Sequence, residues 1–492
     1  MGVQDVEMVS VCRSARCLSA TTPKPSVASD SGRNAGLAVL VASLGLAVDT
    51  YAVGILNVVK PVLEQEYRAM TVSETTALTT STLAGAITGM MVIGSLGDRF
   101  GRRAMFIFCA SVTCAGAAIS ACAWNVGGDG IYWMLAACRG LMGFGIGGEY
   151  PVALSHTAEN VDVAESSWSF AMTLVAMGIG AFVAPAVVYA SLTAGASDDF
   201  TWRLAFGFGA AVSAFSLALR LTKVEDSDAF KKERRDSDGH TLTKSVDKLR
   251  KYVKPLCGTC GAWFFYNWVD YGLNSCSATF SEKSTGTDAR GAAVSVMQAA
   301  LMAMPGPFAS LVLLRVLGRK WVFSAGMVGL MTVISIIAVF FGDVTRSPAL
   351  YNALFGLQNF FDYAGPAVMV VMVPGEIFPT AVRSTAVGIT AAVGKSGAVV
   401  GICMASVLEA TVGVRGVFVA TVAVCLVSLP FTYVFTPDYD EHTLQGLESI
   451  DRRGTKEEML AWLYGGGKAT SNPARQPLPG PRVVEAAVSG GV

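Results

Sequence analysis

Stretches of about twenty apolar residues recur along this chain, and they leave few folds open. A helix needs about 20 residues to cross the ~30 Å hydrocarbon core of a bilayer. Runs of that order fall at 35–58, 73–95, 104–124, 131–152, 168–191 and 201–220. A second set follows at 253–277, 292–314, 321–341, 347–372, 385–408 and 413–434. Between the two sets of six lies a segment rich in Lys, Arg, Asp and Glu, residues 221–251. A membrane barrel would show alternating segments of about ten residues, and these runs are longer and do not alternate. In lipid every backbone polar group must find its partner within the chain, so the runs read as helices. The expected fold is an all-α membrane protein with twelve transmembrane helices. A polar tail covers 1–34, one six-helix bundle 35–220, a linker 221–251, a second six-helix bundle 252–435 and a final tail 436–492.

Composition closes off other classes. Apolar residues make up 52% of the 492, charged ones 15%, and the mean hydropathy is +0.49. Soluble domains carry about 25% charged residues, so a soluble enzyme fits poorly. Lys+Arg and Asp+Glu both number 37, without the basic excess of a nucleic-acid surface. Cys109, Cys114, Cys122, Cys403 and Cys425 lie in apolar runs and read as small hydrophobes. Cys257 and Cys260 form a CxxC with no second pair or nearby histidine, so no metal is expected there. No Walker motif appears, which argues against direct ATP drive, and no cofactor is expected.

Charge also orients the chain. The short loop after the second run carries Arg99, Arg102 and Arg103, and the linker carries a cluster of lysines and arginines. Basic loops stay in the cytoplasm, and an even number of spans puts both termini there too. The first apolar run begins too far into the chain for a simple signal peptide. Arg13 and Arg16 leave a transit peptide open. A plasma membrane is the first expectation and an organelle membrane the second.

Two motifs point further. Gly94-Ser95-Leu96-Gly97-Asp98-Arg99-Phe100-Gly101-Arg102-Arg103, between the second and third runs, resembles the cytoplasmic signature of the major facilitator superfamily. Arg139-Gly140 through Gly148 and Pro151 resembles that superfamily's fourth-helix pattern. Gly147-Gly148-Glu149-Tyr150-Pro151 is similar to the corresponding signature of eukaryotic phosphate:proton symporters. So is the run from Val373-Pro374-Gly375-Glu376 through Arg383 to Gly394-Lys395-Ser396-Gly397. The resemblance covers about residues 35–450. It implies two six-helix bundles rocking around a central cavity, moving a small molecule with a proton, as a monomeric unit in a lipid bilayer. It implies substrate contacts at Tyr150, Met177, Trp263, Asn267 and Tyr271. At five family positions this chain departs. Glu149 replaces an aspartate, Met177 stands near a glutamine, Asn267 replaces an aspartate, Ala367 an asparagine, and Ala52 the second acid of the first-helix pattern. Phosphate needs several well-placed donors, and Met177 and Ala367 supply none.

The charges left inside the runs are the candidates for chemistry, because such groups are costly in a membrane. Asp49, Glu149 and Asp270 are expected proton-coupling residues. The plainer reading of each is a helix-packing or interfacial contact, and for Glu149 a fixed pair with Lys395 or, less well placed, Arg139. Asp270 lies one turn beyond Asn267 and could replace the acid missing there. Asn274, Asp362 and Lys395 complete the expected substrate site, with structural pairing an equal reading of Lys395. Asp98, Arg99, Arg102, Arg103, Arg139, Glu376 and Arg383 are expected to form the gates. Arg315, Gly318, Arg319 and Lys320 make a partial second copy of the loop signature. His156 reads as a helix-end polar contact. The expected function is proton-coupled import of a small anion, inorganic phosphate first. The alternatives are an organic substrate (sugar, carboxylate or cation) on the same fold, or a membrane nutrient sensor that transports nothing.

Overall fold

The computed structural model describes residues 27–125, 130–236, 242–285, 289–453 and 455–465. Most of the expected N-terminal tail, with Arg13 and Arg16, and the end of the C-terminal tail lie outside the described residues. Every regular element among the described residues is helical. The first half holds α1 (Val27–Glu66), α2 (Val72–Phe100), α3 (Arg102–Ala121), α4 (Ile131–Asn160), α5 (Val163–Thr193) and α6 (Asp198–Lys223). The linker forms α7 (Asp228–Asp236) and α8 (Leu242–Lys251). The second half holds α9 (Val253–Thr285), α10 (Ala289–Ala303), α11 (Pro305–Leu317), α12 (Arg319–Val339) and α13 (Phe341–Arg346). It continues with α14 (Pro348–Ala364), α15 (Pro366–Ile377), α16 (Arg383–Val412) and α17 (Val414–Phe435). Two short helices, α18 (Glu441–Arg453) and α19 (Lys456–Tyr464), follow.

This is an all-α, multi-pass membrane protein. Among the described residues, 10 helical stretches are long and apolar enough to cross a bilayer. That is fewer than the twelve runs expected from the sequence. The fourth and seventh runs fall on α4 and α9, which are long enough at 30 and 33 residues but not apolar enough. The physical reason is their position. Helix α4 is buried along most of its length and carries Arg139 and Glu149 inside the bundle. Helix α9 spends its polar side chains on a central cavity. Neither has to be apolar all round, because other helices rather than lipid surround them.

Two spans are broken by proline. Pro305 separates α10 from α11, and Pro366 separates α14 from α15. Proline removes a backbone donor and clashes with the preceding turn, so the helix bends there. Helix α1 begins at Val27 rather than Ala35 and has 40 residues. At 1.5 Å per residue it is about 60 Å long and outreaches the bilayer.

Small residues set the packing. The backbones of α2 and α4 approach so closely that a Cβ on Gly147 would overlap the Ala86 carbonyl. The α9–α16 contact is similar, with Gly397 against the Phe264 carbonyl. Close backbone approach through small residues is the usual membrane solution, since lipid tails give helices no hydrophobic drive to associate. The outer surface is apolar, with Leu40, Val312, Val339 and Val412 exposed, and Trp124, Trp133, Trp168 and Trp321 exposed near helix ends. Tryptophan there suits the lipid–water interface.

Candidate transport site

A cavity of about 150 Å³ lies between the halves. From the first half, Asp49, Thr50, Thr82, Tyr150 and Met177 line it. The second half contributes Trp263, Tyr266, Asn267, Asp270, Tyr271, Tyr363, Ala367 and Lys395. Eight of the residues expected at the site thus meet around one space: Asp49, Tyr150, Met177, Trp263, Asn267, Asp270, Tyr271 and Lys395.

Asp49 sits in the middle of α1, is 1% exposed, and has no hydrogen-bond partner on either carboxylate oxygen. The amide nitrogen of Asn267 is likewise buried and without a partner. Lys395 Nζ donates to the Tyr271 hydroxyl at 2.5 Å and lies 5.9 Å from the centre of the Tyr150 ring. No carboxylate among the described residues lies within ion-pair reach of it. The rings of Tyr150 and Trp263, from opposite halves, are 6.5 Å apart. Asn274 is exposed and off the cavity wall, where it donates to Asp270 Oδ1 at 2.7 Å and orients that acid. Asp362 also stands back from the wall, behind Tyr266, whose hydroxyl donates to its Oδ2 at 3.3 Å. Met177 and Ala367 leave apolar patches where a donor would be useful.

Glu149 does not join this cavity, and its partner is neither Lys395 nor Arg139. It forms a buried ion pair with Arg220 of α6, both guanidinium Nη atoms donating to its two oxygens. Neighbours on a helix point about 100° apart, so Tyr150 faces the cavity while Glu149 faces α1 and α6. The gap it enters exists because residue 45 is glycine; a Cβ there would overlap the pair. Arg220 stands at the end of an apolar run, where an arginine ordinarily reaches for the interface. Nothing in the sequence marked it as buried, yet it is, against the Phe106 ring at 4.9 Å.

Arg139 lies apart from the other expected gate residues. It is 1% exposed, and its Nε and Nη2 donate to Thr82 Oγ1 at 3.2 Å and the Ala52 carbonyl at 3.1 Å. Its Nη1 has no hydrogen-bond partner.

On the linker side of the cavity the halves are clamped together. Asp98 of α2 accepts from Ser384 N at 3.1 Å, Thr385 N at 2.8 Å and Thr385 Oγ1 at 2.6 Å, all at the start of α16. The positive end of a helix and three donors hold the carboxylate. Arg102 joins Asp98 at 2.9 Å to Glu159 at 2.7 Å and reaches the Thr380 carbonyl at 3.1 Å. Arg383 lies 3.5 Å from Glu159. Beside this cluster, Glu376 accepts from Arg319 at 2.8 Å, from Ser166 of the first half at 2.7 Å and from Tyr439 at 2.8 Å. The partial second copy of the loop motif therefore contributes Arg319, while Arg315 is exposed. Glu376 and Arg383 belong to two neighbouring clusters rather than one pair. Among the described residues, Arg99 and Arg103 bridge nothing between the halves. Arg99 lies over the Phe100 ring, and the Arg103 amide donates to Asp226 of the linker at 2.9 Å. That bond caps α3 just after Gly101, whose φ of 101° explains the glycine. His156 meets the Glu225 carbonyl at 3.2 Å, a helix-end polar contact.

Among the described residues no group of three or more His, Cys, Asp or Glu could hold a metal ion. The model of the Major Facilitator Superfamily matches residues 42–316, and that of the family "Sugar (and other) transporter" matches 220–450. The chain is 28% identical over 427 residues to glycerophosphoinositol permease 1 of Candida albicans, covering 83% of this chain and 79% of that one. It is 28% identical over 443 residues to the repressible high-affinity phosphate permease of Neurospora crassa, covering 74% and 76%. Its fold matches a solved structure of the proton:xylose symporter XylE bound to 6-bromo-6-deoxy-D-glucose. That match has a TM-score of 0.71 at 18% identity, over 88% of this chain and 99% of that one. With more than half its length matched by the first of these models, the chain belongs to the Major Facilitator Superfamily, whose members are transporters rather than enzymes.

Proposed function

We propose that this protein is a twelve-span, proton-coupled transporter of a hydroxyl-rich organic molecule bearing one anionic group, such as a phosphate diester. Helices α4 and α9 serve as the two spans that are not apolar enough to count by hydropathy. The carrying observation is the charge pattern of the cavity wall, where Lys395 is the one cation among the described lining residues and faces Asp49 and Asp270. A phosphate dianion alone would need several donors and would be repelled by Asp270. A polyol phosphodiester uses the same wall better. Its anionic oxygen meets Lys395 and Tyr271, its hydroxyls donate to Asp270 and accept from Asn267, and its apolar edges lie on Trp263 and Tyr150. The likeness to a glycerophosphoinositol permease supports this reading.

Asp49 is the proposed proton carrier. A buried carboxylate with no donor on either oxygen is held at least cost with a proton on it. Glu149 is instead a fixed partner of Arg220. With the halves clamped on the linker side, read as cytoplasmic from its basic loops, Asp49 carries the proton and substrate binds from outside. Rocking then breaks the Asp98 bonds to Ser384 and Thr385 and opens the cavity inward. Proton loss from Asp49 releases substrate and resets the cycle. A plasma membrane location suits uptake of such a nutrient.

The test is uptake by purified protein in liposomes under an imposed pH gradient. Glycerophosphoinositol, inorganic phosphate, xylose and a dicarboxylate serve as substrates and competitors. Glycerophosphoinositol uptake, accelerated by acid outside, is expected. Uptake of inorganic phosphate alone would replace this reading with the second one, a phosphate:proton symporter, which the likeness to a phosphate permease favours. Binding without flux would point to a sensor.

A further inference from the structure

Asp362 is a carboxylic acid that the transport scheme above does not use. It lies on α14, just before the break at Pro366, and is 2% exposed. Its Oδ1 has no hydrogen-bond partner, and its Oδ2 receives only the Tyr266 hydroxyl at 3.3 Å. No arginine, lysine or histidine among the described residues lies within ion-pair reach of it. Among the described residues, the helices packed around it offer no cation. From α9 it is faced by Tyr266 and Asp270. Its chain neighbour Tyr363 lies on its own helix. Helices α10, α11 and α12 present Met302, Gly306, Gly326 and Gly329 to α14. Along α15 the adjoining residues are Pro366, Ala367, Val368 and Met369. The charges of α13, Asp343 and Arg346, are exposed and 3.8 Å from each other.

A carboxylate kept from water with no cation and one long hydrogen bond is very costly, whereas the neutral acid is not. The phenol that touches it also lines the cavity. We propose that Asp362 is a second proton-binding site, filled from the cavity through the Tyr266 hydroxyl, so that each transport cycle carries two protons. The transfer balances without another reactant. A cavity hydronium gives a proton to the Tyr266 oxygen as the phenol O–H bond breaks toward Asp362 Oδ2, leaving water and a neutral phenol. The reverse discharges the site when the cavity opens inward. Asp49 and Asp362 thus place one proton site in each half. With a monoanionic phosphodiester, two protons make the loaded cycle carry net positive charge inward. The stoichiometric part of this proposal rests on the transport reading of the cavity; the protonation of Asp362 does not.

Two readouts separate those parts. Infrared spectroscopy of the purified protein in lipid, in water and deuterium oxide, reports the carbonyl stretch of protonated carboxyl groups without any substrate. Asp362→Asn is expected to remove one such band. Tyr266→Phe, which keeps the acid but loses its donor, is expected to shift that band rather than remove it. An unchanged spectrum in Asp362→Asn would overturn the proposal. If that variant does not fold, an unshifted band in Tyr266→Phe would overturn it instead. The second readout is the reversal potential of glycerophosphoinositol flux in proteoliposomes, with two protons per substrate expected for the parent and one for Asp362→Asn. Loss of the band with an unchanged ratio would make the proton structural and overturn the coupling. Bands that behave as expected in a protein that moves no glycerophosphoinositol would refute the substrate assignment and leave the proton site standing.

Discussion

The buried pair between Glu149 and Arg220 offers a sharp prediction, because two accounts of Glu149 diverge there. Its side chain and that of Arg220 are 3% and 0% exposed, so neither charge has water to fall back on. Glu149→Gln leaves the Arg220 guanidinium buried beside a neutral amide. Removing one partner of such a pair costs about 3–5 kcal/mol. At about 1.4 kcal/mol per factor of ten, the folding equilibrium falls by roughly two to three and a half powers of ten. Removing both charges is different. In Glu149→Gln/Arg220→Gln the two amides can bond each other, and replacing a buried pair is often near neutral, within about 1 kcal/mol. Thermal melts of the purified proteins in detergent should show a large loss for the single variant and recovery in the double. Proton-driven uptake should recover with stability, because Asp49 carries the proton. A double variant that is stable but no longer responds to a pH gradient would refute the reasoning and return the proton to Glu149.

Other outcomes follow from the same geometry. Asp98→Asn keeps one acceptor oxygen but loses the charge that Ser384 N, Thr385 N and Thr385 Oγ1 point at. At about 1.5–3 kcal/mol per charged hydrogen bond, spin-label distances across the linker side should shift strongly toward the open state; an unchanged distribution would contradict the clamp. Lys395→Met should raise the KM for an anionic substrate at least tenfold, while a neutral sugar's inhibition stays the same. Asp440 anchors the start of α18, with Thr443 N and Oγ1 donating to its Oδ1 at 2.8 and 2.7 Å. The Thr443 backbone N–H, followed by its hydroxyl, holds that carboxyl below its ordinary value of 3.8. A depressed folded pKa means the cap's stabilisation is present above about pH 4 and is lost as acid protonates the carboxyl in the folded state. Fluorescence of Trp462, which donates to the Thr443 carbonyl at 2.8 Å, should report that loss on acidification. In Asp440→Asn this component of the acid transition should vanish.

Much of the fold was legible because hydropathy over twenty residues is a strong signal, and the runs fall on helices throughout. The count of apolar spans was less legible, since α4 and α9 are wrapped by protein and can afford charges that a lipid-facing helix cannot. The cavity was legible where a polar or aromatic residue interrupted an apolar run, as at Asp49, Trp263, Asp270 and Lys395. Direction was not. Glu149 and Tyr150 are adjacent in sequence and face different neighbours, and only the packing of α1 and α6 shows which one meets the cavity. Arg220 was invisible because a cation at a span's end looks like an interfacial anchor until Gly45 makes room for its partner. The clamp motif was recognisable, but Arg99 and Arg103 could not be separated from Arg102 without knowing that only Arg102 turns inward to Glu159.

The account stands most directly on Asp49. The decisive measurement is glycerophosphoinositol uptake into liposomes by the parent and Asp49→Asn proteins, each with and without an acid-outside gradient. The parent should be accelerated by the gradient. Asp49→Asn should bind substrate but respond less to the gradient, its flux reversing at one proton per substrate in place of two. A variant accelerated as strongly as the parent, at the parent's proton ratio, would contradict the account.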